Sequence, residues 1–351
     1  MPAPSHERTV AAIASLVESG EFYAAHQKYR TSAARLLKGD TTDENAQRAV
    51  DLLFDGAKRL LQKGEKGSGV DLAKYMISVW KARGAECGQV ERDRLTQLIA
   101  LCGSGDNWRK TLVDDSLSWS GKANHSTAGD DDLLYYIGTL YQKESDFPQA
   151  ELYLLSCPTR DSARSLARVH HSWWIQGSDK GEAALAGNYA ARGMLAYLAS
   201  QALLAASVYL SEYLELVQAS HPQLVNETIP AANDRERPFT VFTVPLLNFL
   251  QLALRTVVVR IGDPISGQGQ KGTGRAAWRA LLGKYERDVK ALQDKEVKAA
   301  IAHISETYFN IRPAGAGDQN MLANLMQGIF GGASGSNGGT SPRPRITTPG
   351  L

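Results

Sequence analysis

The chain has 351 residues, 43% hydrophobic and 22% charged, close to an ordinary globular protein. Lys and Arg total 39 against 37 Asp and Glu, so no net field draws the whole molecule onto nucleic acid or a lipid surface. The cysteines Cys87, Cys102 and Cys157 are widely spaced with no CxxC pair, which suits buried thiols in a reducing compartment and no disulfide framework. The start, MPAPSHERTVAAIASLVESGE, carries Glu7 and Arg8 without the long apolar core of a signal peptide. No apolar run approaches the roughly 18 residues a membrane span needs. The expected location is the cytosol, without membrane insertion.

Proline marks the organisation. None occurs between Ser5 and Phe147, nor between Thr159 and His221. Proline removes a helix donor and clashes with the preceding turn, so such stretches favour helix when rich in Ala, Leu, Lys and Glu. Gly, Ser and Asp clusters break them at Ser19-Gly20, Gly39 to Thr42, Gly64 to Gly69, Gly103 to Asp106 and Ser120 to Asp130. Thr42-x-x-Asn45 and Ser68-x-x-Asp71 place short polar side chains at expected helix starts.

From Glu21 to Lys38, the residues Phe22, Ala25, Tyr29, Ala33 and Leu36 recur at spacings of three and four, forming one apolar stripe. Asp43 to Gln62 carries a second set: Ala46, Val50, Leu53, Ala57, Leu60 and Leu61. Neither segment can bury its face alone, so the two pair as an antiparallel hairpin. Residues 140 to 157 return to the same arrangement, with a small Ala150 early in the second helix. The expected fold is all-α, an α-solenoid of antiparallel helix pairs similar to degenerate tetratricopeptide repeats.

Beyond His221 the texture changes. Pro222, Pro230, Pro238 and Pro245 cluster, and PFTVFTVP alternates β-branched and aromatic residues, which predicts one short β-hairpin within 223–244. Helical pattern resumes with LLNFLQLALRTVVV. A Gly-rich loop from Gly262 to Gly274 follows, then two helices, expected over Arg275 to Leu292 and Lys295 to Phe309. Residues 319 to 330 read as a short amphipathic helix, and the low-complexity tail from Gly331 as disordered.

No catalytic, cofactor or metal motif stands out. GSGVDL at Gly67 lacks the P-loop Lys and follows a helix, and GQGQKGTG at Gly267 has no preceding strand, so both read as turns. His170-His171 lack a ligand at metal spacing, and Trp173-Trp174 suit packing. Asp130 to Asp132 open a helix, where acidic groups complement the dipole. The helix over 21 to 38 carries a second, charged stripe. Lys28, Arg35 and Lys38 lie on one side, flanked by Tyr23, His26 and Arg30. Charge alone suits a solvated face, whereas an aromatic beside Arg suits a protein interface. By pattern alone, a scaffold subunit of some multiprotein complex fits the chain, and an enzyme is not expected.

FYAAHQKYRTSAARL, residues 22 to 36, resembles the Tyr-x-Ala-His-Gln-x-x-Arg-Thr-x-x-x-Arg segment of the Get4/TRC35 family. GSGVDL, VPLLNFLQLAL (244 to 254), YFNIRP (308 to 313) and NMLANLMQGIFGG (320 to 332) resemble further segments of that family, in order. The chain departs from it at Phe22, where Tyr is usual, and at Ala24, where Glu is usual. The family comprises adaptor subunits that deliver tail-anchored proteins to the ER membrane (the GET pathway). The resemblance implies an N-terminal half, 1–150, that docks a cytosolic targeting ATPase, with Tyr23, His26, Lys28, Arg30, Arg35 and Asp71 as the docking residues. It implies a C-terminal half, 151–318, that holds a ubiquitin-like-domain partner and through it a client-bearing co-chaperone. The residues implied there are Phe239, Val241, Phe242, Leu246, Leu247, Phe249 and Leu250. The segment 319–351 receives no role.

Overall fold

The computed structural model describes residues 6–39, 42–177, 182–230, 238–261 and 273–311. The helix expected at 319–330, the tail and nearly all of the loop at 262–274 lie outside the described residues. By packing the chain divides into two compact units, Met1–Gln251 and Leu252–Leu351.

The first unit opens with α1 (His6–Glu18), α2 (Phe22–Leu36), α3 (Asp43–Gln62), α4 (Lys66–Arg83), α5 (Gln89–Cys102) and α6 (Asn107–Ala123). It continues with α7 (Asp131–Lys143), α8 (Phe147–Ser156), α9 (Arg160–Gln176), α10 (Ala183–Ala199) and α11 (Leu203–Ser220). A 3-10 turn, Pro222–Leu224, leads into β1 (Val225–Ile229) and β2 (Phe239–Phe242), the antiparallel hairpin expected from the alternation. α12 (Pro245–Ile261) crosses the division between units. From α1 to α11 the substantial packing joins helices adjacent or next but one in sequence. That nearest-neighbour pattern is the signature of an α-solenoid. Packing runs on from α7 through α8 to α9, and residue 150, where the sequence reading divides the solenoid into two halves, lies inside α8.

One turn recurs along the array. Gly20, Gly64, Ser145 and Gln201 are left-handed, with φ of 81°, 85°, 60° and 61°. Each is followed by an N–H that closes on a carbonyl five residues back: Glu21 to Leu16, Glu65 to Leu60, Asp146 to Tyr141 and Ala202 to Tyr197, at 2.8–3.0 Å. This Schellman closure satisfies carbonyls that a helix end would orphan, and it reverses the chain within three residues. Five positions beyond each left-handed residue stands a small buried one: Ala25, Gly69, Ala150 and Ala206. So short a turn presses the second helix onto the first, and a Cβ on Gly69 would lie 2.6 Å from Leu61 Cγ. Gly69 thus sits inside α4, and the expected break ends earlier, at Glu65. The Ser68 cap is likewise corrected, since the α4 N-cap is Glu65 and makes no side-chain cap bond. The Thr42 cap is as expected, accepting from Asn45 N at 3.2 Å. Asp130 caps α7, accepting from Leu133 N at 3.0 Å.

Between α8 and α11 the core holds a polar cluster. Buried Glu151 accepts from Arg192 Nε at 2.9 Å and Nη2 at 2.5 Å, and pairs with His170 Nε2 at 3.0 Å. His170 Nδ1 meets Tyr209 Oη at 2.7 Å, and Tyr209 donates to the Tyr189 carbonyl. The adjacent histidines therefore part: His170 joins this cluster, while His171 meets Ser220 Oγ at 2.9 Å. Burial raises the Glu151 pKa, but His170 and Arg192 outweigh it and bring the carboxyl down to about 2. All three cysteines are buried thiols.

In the second unit, α13 (Thr273–Tyr285) packs on α14 (Lys295–Phe309). Trp278 stacks on Phe309 with centroids 4.8 Å apart and donates to Ser305 Oγ at 2.8 Å. The helix expected to reach Leu292 stops at Tyr285, and a 3-10 turn at Lys290–Gln293 buries Leu292 instead. Among the described residues no helix is long and apolar enough to cross a membrane.

Two outcomes test this account. Ser145→Gly relieves a left-handed non-glycine residue and should raise stability by about 0.5–1 kcal/mol, whereas Ala150→Leu should lower it by about 1–3 kcal/mol, both read by urea unfolding. Glu151 has a depressed pKa, so its stabilisation is present above its ordinary 4.5 and is lost as pH falls towards 2. That loss should be on the order of 3 kcal/mol, and Glu151→Gln should remove it while destabilising the protein at pH 7. An identical acid slope in the variant would contradict the assignment.

Candidate interaction faces

The charged stripe rests on an apolar floor. Ala25, Tyr29 and Ala33 bury the inner side of α2 against α3. Gly56 on α3 makes room for the Tyr29 ring, since a Cβ there would stand 2.8 Å from it. Burial, with Asp55 nearby, pushes the Tyr29 hydroxyl up to about 12, so it stays neutral. With α2 seated in this way, its flank faces α4. His26 Nε2 lies 2.8 Å from Asp71 Oδ2, and Arg30 donates to the same oxygen. The Arg30 guanidinium also lies over the Tyr75 ring, 5.5 Å from its centroid. Burial raises the Asp71 pKa, but the hydrogen bonds from Arg30 and His26 outweigh it and hold the carboxyl below the usual carboxylate range.

The six residues of the N-terminal candidate set therefore fall into two groups. His26, Arg30 and Asp71 form one clasp between α2 and α4. Asp71 is the internal partner of both His26 and Arg30, a role its expected place in a turn did not suggest. Tyr75, four residues on, completes the clasp and was missed; the i, i+4 spacing from Asp71 was the available signal. Tyr23 is 78% exposed. Lys28 and Arg35, seven residues apart on one side of α2, are exposed and have no carboxylate partner among the described residues. The clasp fixes a guanidinium, an imidazole and a carboxylate in a shallow surface, an arrangement suited to recognition by charge and hydrogen bonding.

The C-terminal candidate set divides by strand alternation. Ile229 pairs with Phe239 and Glu227 with Val241, on one face of the hairpin; Thr228 pairs with Thr240, and Val225 with Phe242 across a bulge. Phe242 is buried, so Phe239 and Val241 point the other way, and both are half-buried. The hairpin is pinned by α12. Asn248 accepts from Phe242 N at 2.9 Å and donates to Phe242 O at 2.8 Å, and Gln251 donates to Thr240 O at 2.9 Å. Leu246, Leu247, Phe249 and Leu250 are buried. Leu246 sits on Gly187 of α10, where a Cβ would lie 2.8 Å away. As binding residues these four and Phe242 are corrected: they form the floor under a surface and do not themselves reach it. Ile229, 48% exposed beside Phe239, was missed, because the sequence reading centred the hairpin on β2.

Among the described residues, no group of three or more His, Cys, Asp or Glu could hold a metal ion. A family model described as Golgi to ER traffic protein 4 matches residues 43–330. The Golgi to ER traffic protein 4 of Schizosaccharomyces pombe is 29% identical, covering 88% of this chain and 91% of that protein. That of Aspergillus fumigatus is 27% identical, covering 97% and 94%. The Homo sapiens homolog is 22% identical, covering 96% and 90%. A solved structure, the crystal structure of C. therm. Get4, aligns with a TM-score of 0.75 at 29% identity, covering 98% of this chain and 99% of that one. The family match takes in Asp71, Tyr75 and the hairpin, and the alignments to relatives extend it across α2; the chain belongs to the Golgi to ER traffic protein 4 family.

Proposed function

We propose that this chain is an adaptor that brings two different proteins together during delivery of tail-anchored proteins to the ER membrane. The α2–α4 face docks the cytosolic targeting ATPase. The outer face of the hairpin, Phe239, Val241 and Ile229, holds the ubiquitin-like-domain partner, through which the client-bearing co-chaperone is reached. The chain itself works in the cytosol and carries out no chemical step.

The observation that carries this reading is the clasp. Asp71 holds Arg30 and His26 in place without neutralising the face, because Lys28 and Arg35 remain unpaired among the described residues. A preorganised ionic surface gives fast, salt-sensitive docking. An apolar strand face over a rigid floor gives slower release. Helices α5 to α11 intervene along the array, and the substantial packing of each is with near neighbours, so the two surfaces can be occupied together.

Arg35→Glu is the cleaner probe of the first face, since it breaks no side-chain hydrogen bond or ion pair within the described residues. It should weaken ATPase binding at least about tenfold, by isothermal titration calorimetry at low salt, and leave the ubiquitin-like partner bound. Equal affinity for variant and wild type would remove the docking assignment. For the second face, Phe239→Asp or Val241→Asp should release the ubiquitin-like partner while helical content is kept. Phe242→Asp and Leu246→Asp are poor probes, because each puts a charge in the core. Co-purification of the partner with both surface variants would rule out the hairpin as its site.

A further inference from the structure

The GSGVDL segment contains two glycines with different reasons. Gly69 is required by close packing against Leu61. Gly67 has no such need. Its φ is not left-handed, it lies in the first turn of α4, and the three atoms nearest to a Cβ there all belong to the ring of Trp108, the closest at 3.2 Å. Glycine costs helix stability relative to alanine, so its presence suits the ring that rests on it.

Trp108 belongs to α6, which packs against α4. Asp106 caps that helix, accepting from Trp108 N at 3.0 Å, and is held by Lys66 Nζ at 2.7 Å from the first residue of α4. Lys74 and Asp115 pair at 3.2 Å farther along the same two helices. The ring is thus placed by contacts on both sides, yet it is 44% exposed and its indole N–H has no acceptor among the described residues. Gly67 and Asp71 are four residues apart, hence neighbours on one face of α4. From α2, His26 and Arg30 reach Asp71; from α6, Trp108 covers Gly67, one turn away. The exposed side of α4 is therefore the middle of one continuous surface to which three helices contribute.

We propose that Trp108, seated on Gly67, is a further contact residue for the macromolecule that docks on the α2–α4 face. This rests on the docking reading above. The ring offers an apolar wall and one N–H donor, and the partner surface that fits it presents an apolar side chain beside an oxygen acceptor. A half-exposed tryptophan on the same helix surface as a paired arginine is the composition of an interface anchor. The surrounding Lys66–Asp106 and Lys74–Asp115 pairs form a polar rim.

The test uses the full chain and the purified targeting ATPase at fixed ionic strength. Trp108→Ala should weaken binding about tenfold or more, and Gly67→Val, which displaces the ring, should weaken it in the same direction. As a readout that needs no loss of packing, acrylamide quenching of wild type should fall when the ATPase is added, and in Trp108→Phe that fall should shrink. Wild-type affinity in Trp108→Ala, alongside lost binding in Arg35→Glu, overturns this proposal and leaves the docking reading standing. Unchanged binding in both variants overturns the docking reading and this one with it.

Discussion

The structure depends on one constraint, a helix reversal accomplished in three residues. A left-handed residue and a five-back hydrogen bond end one helix and start the next at Gly20, Gly64, Ser145 and Gln201. The short turn forces close approach, and close approach demands Ala or Gly five positions on. Repetition of this unit builds an array in which, from α1 to α11, the substantial packing stays between helices adjacent or next but one in sequence. Such an array carries side faces that are structurally independent, and the two candidate faces are regions of that kind.

Much of this was legible in the residues. The apolar stripes on α2 and α3 and the small Ala25 and Ala150 follow directly from helical period and steric need. The same turn at Gln201 was hidden because glutamine is not a turn residue by type; only the tertiary context places it left-handed. The α4 start was misread for the converse reason. Gly67, Ser68 and Gly69 look like a break, yet two of them are small because Trp108 and Leu61 lie against them. α13 ended early because Leu292 fills the core from a 3-10 turn, which the continuous pattern did not distinguish from helix.

The two candidate faces are only partly legible in local pattern. Charge and aromatic content on α2 marked a surface, but the partnership of Asp71 with His26 and Arg30 spans 41 to 45 residues and lies beyond local pattern. On the hairpin and α12, apolar composition does not separate surface from core. Strand alternation sends Phe239 and Val241 one way and Phe242 the other, and helix burial removes Leu246, Leu247, Phe249 and Leu250 from the surface. Hydrophobicity says that a residue is buried somewhere; it does not say whether by its own chain or by a partner.

The central claim is that the ionic face and the apolar hairpin face work without interfering. It is tested most directly by titrating the targeting ATPase into the chain alone and into the chain saturated with the ubiquitin-like-domain partner proposed for the hairpin face. The account predicts one dissociation constant for both titrations and a ternary complex of one copy of each. An apparent constant that rises in proportion to the concentration of the second partner would mean that both compete for one surface, and would contradict it.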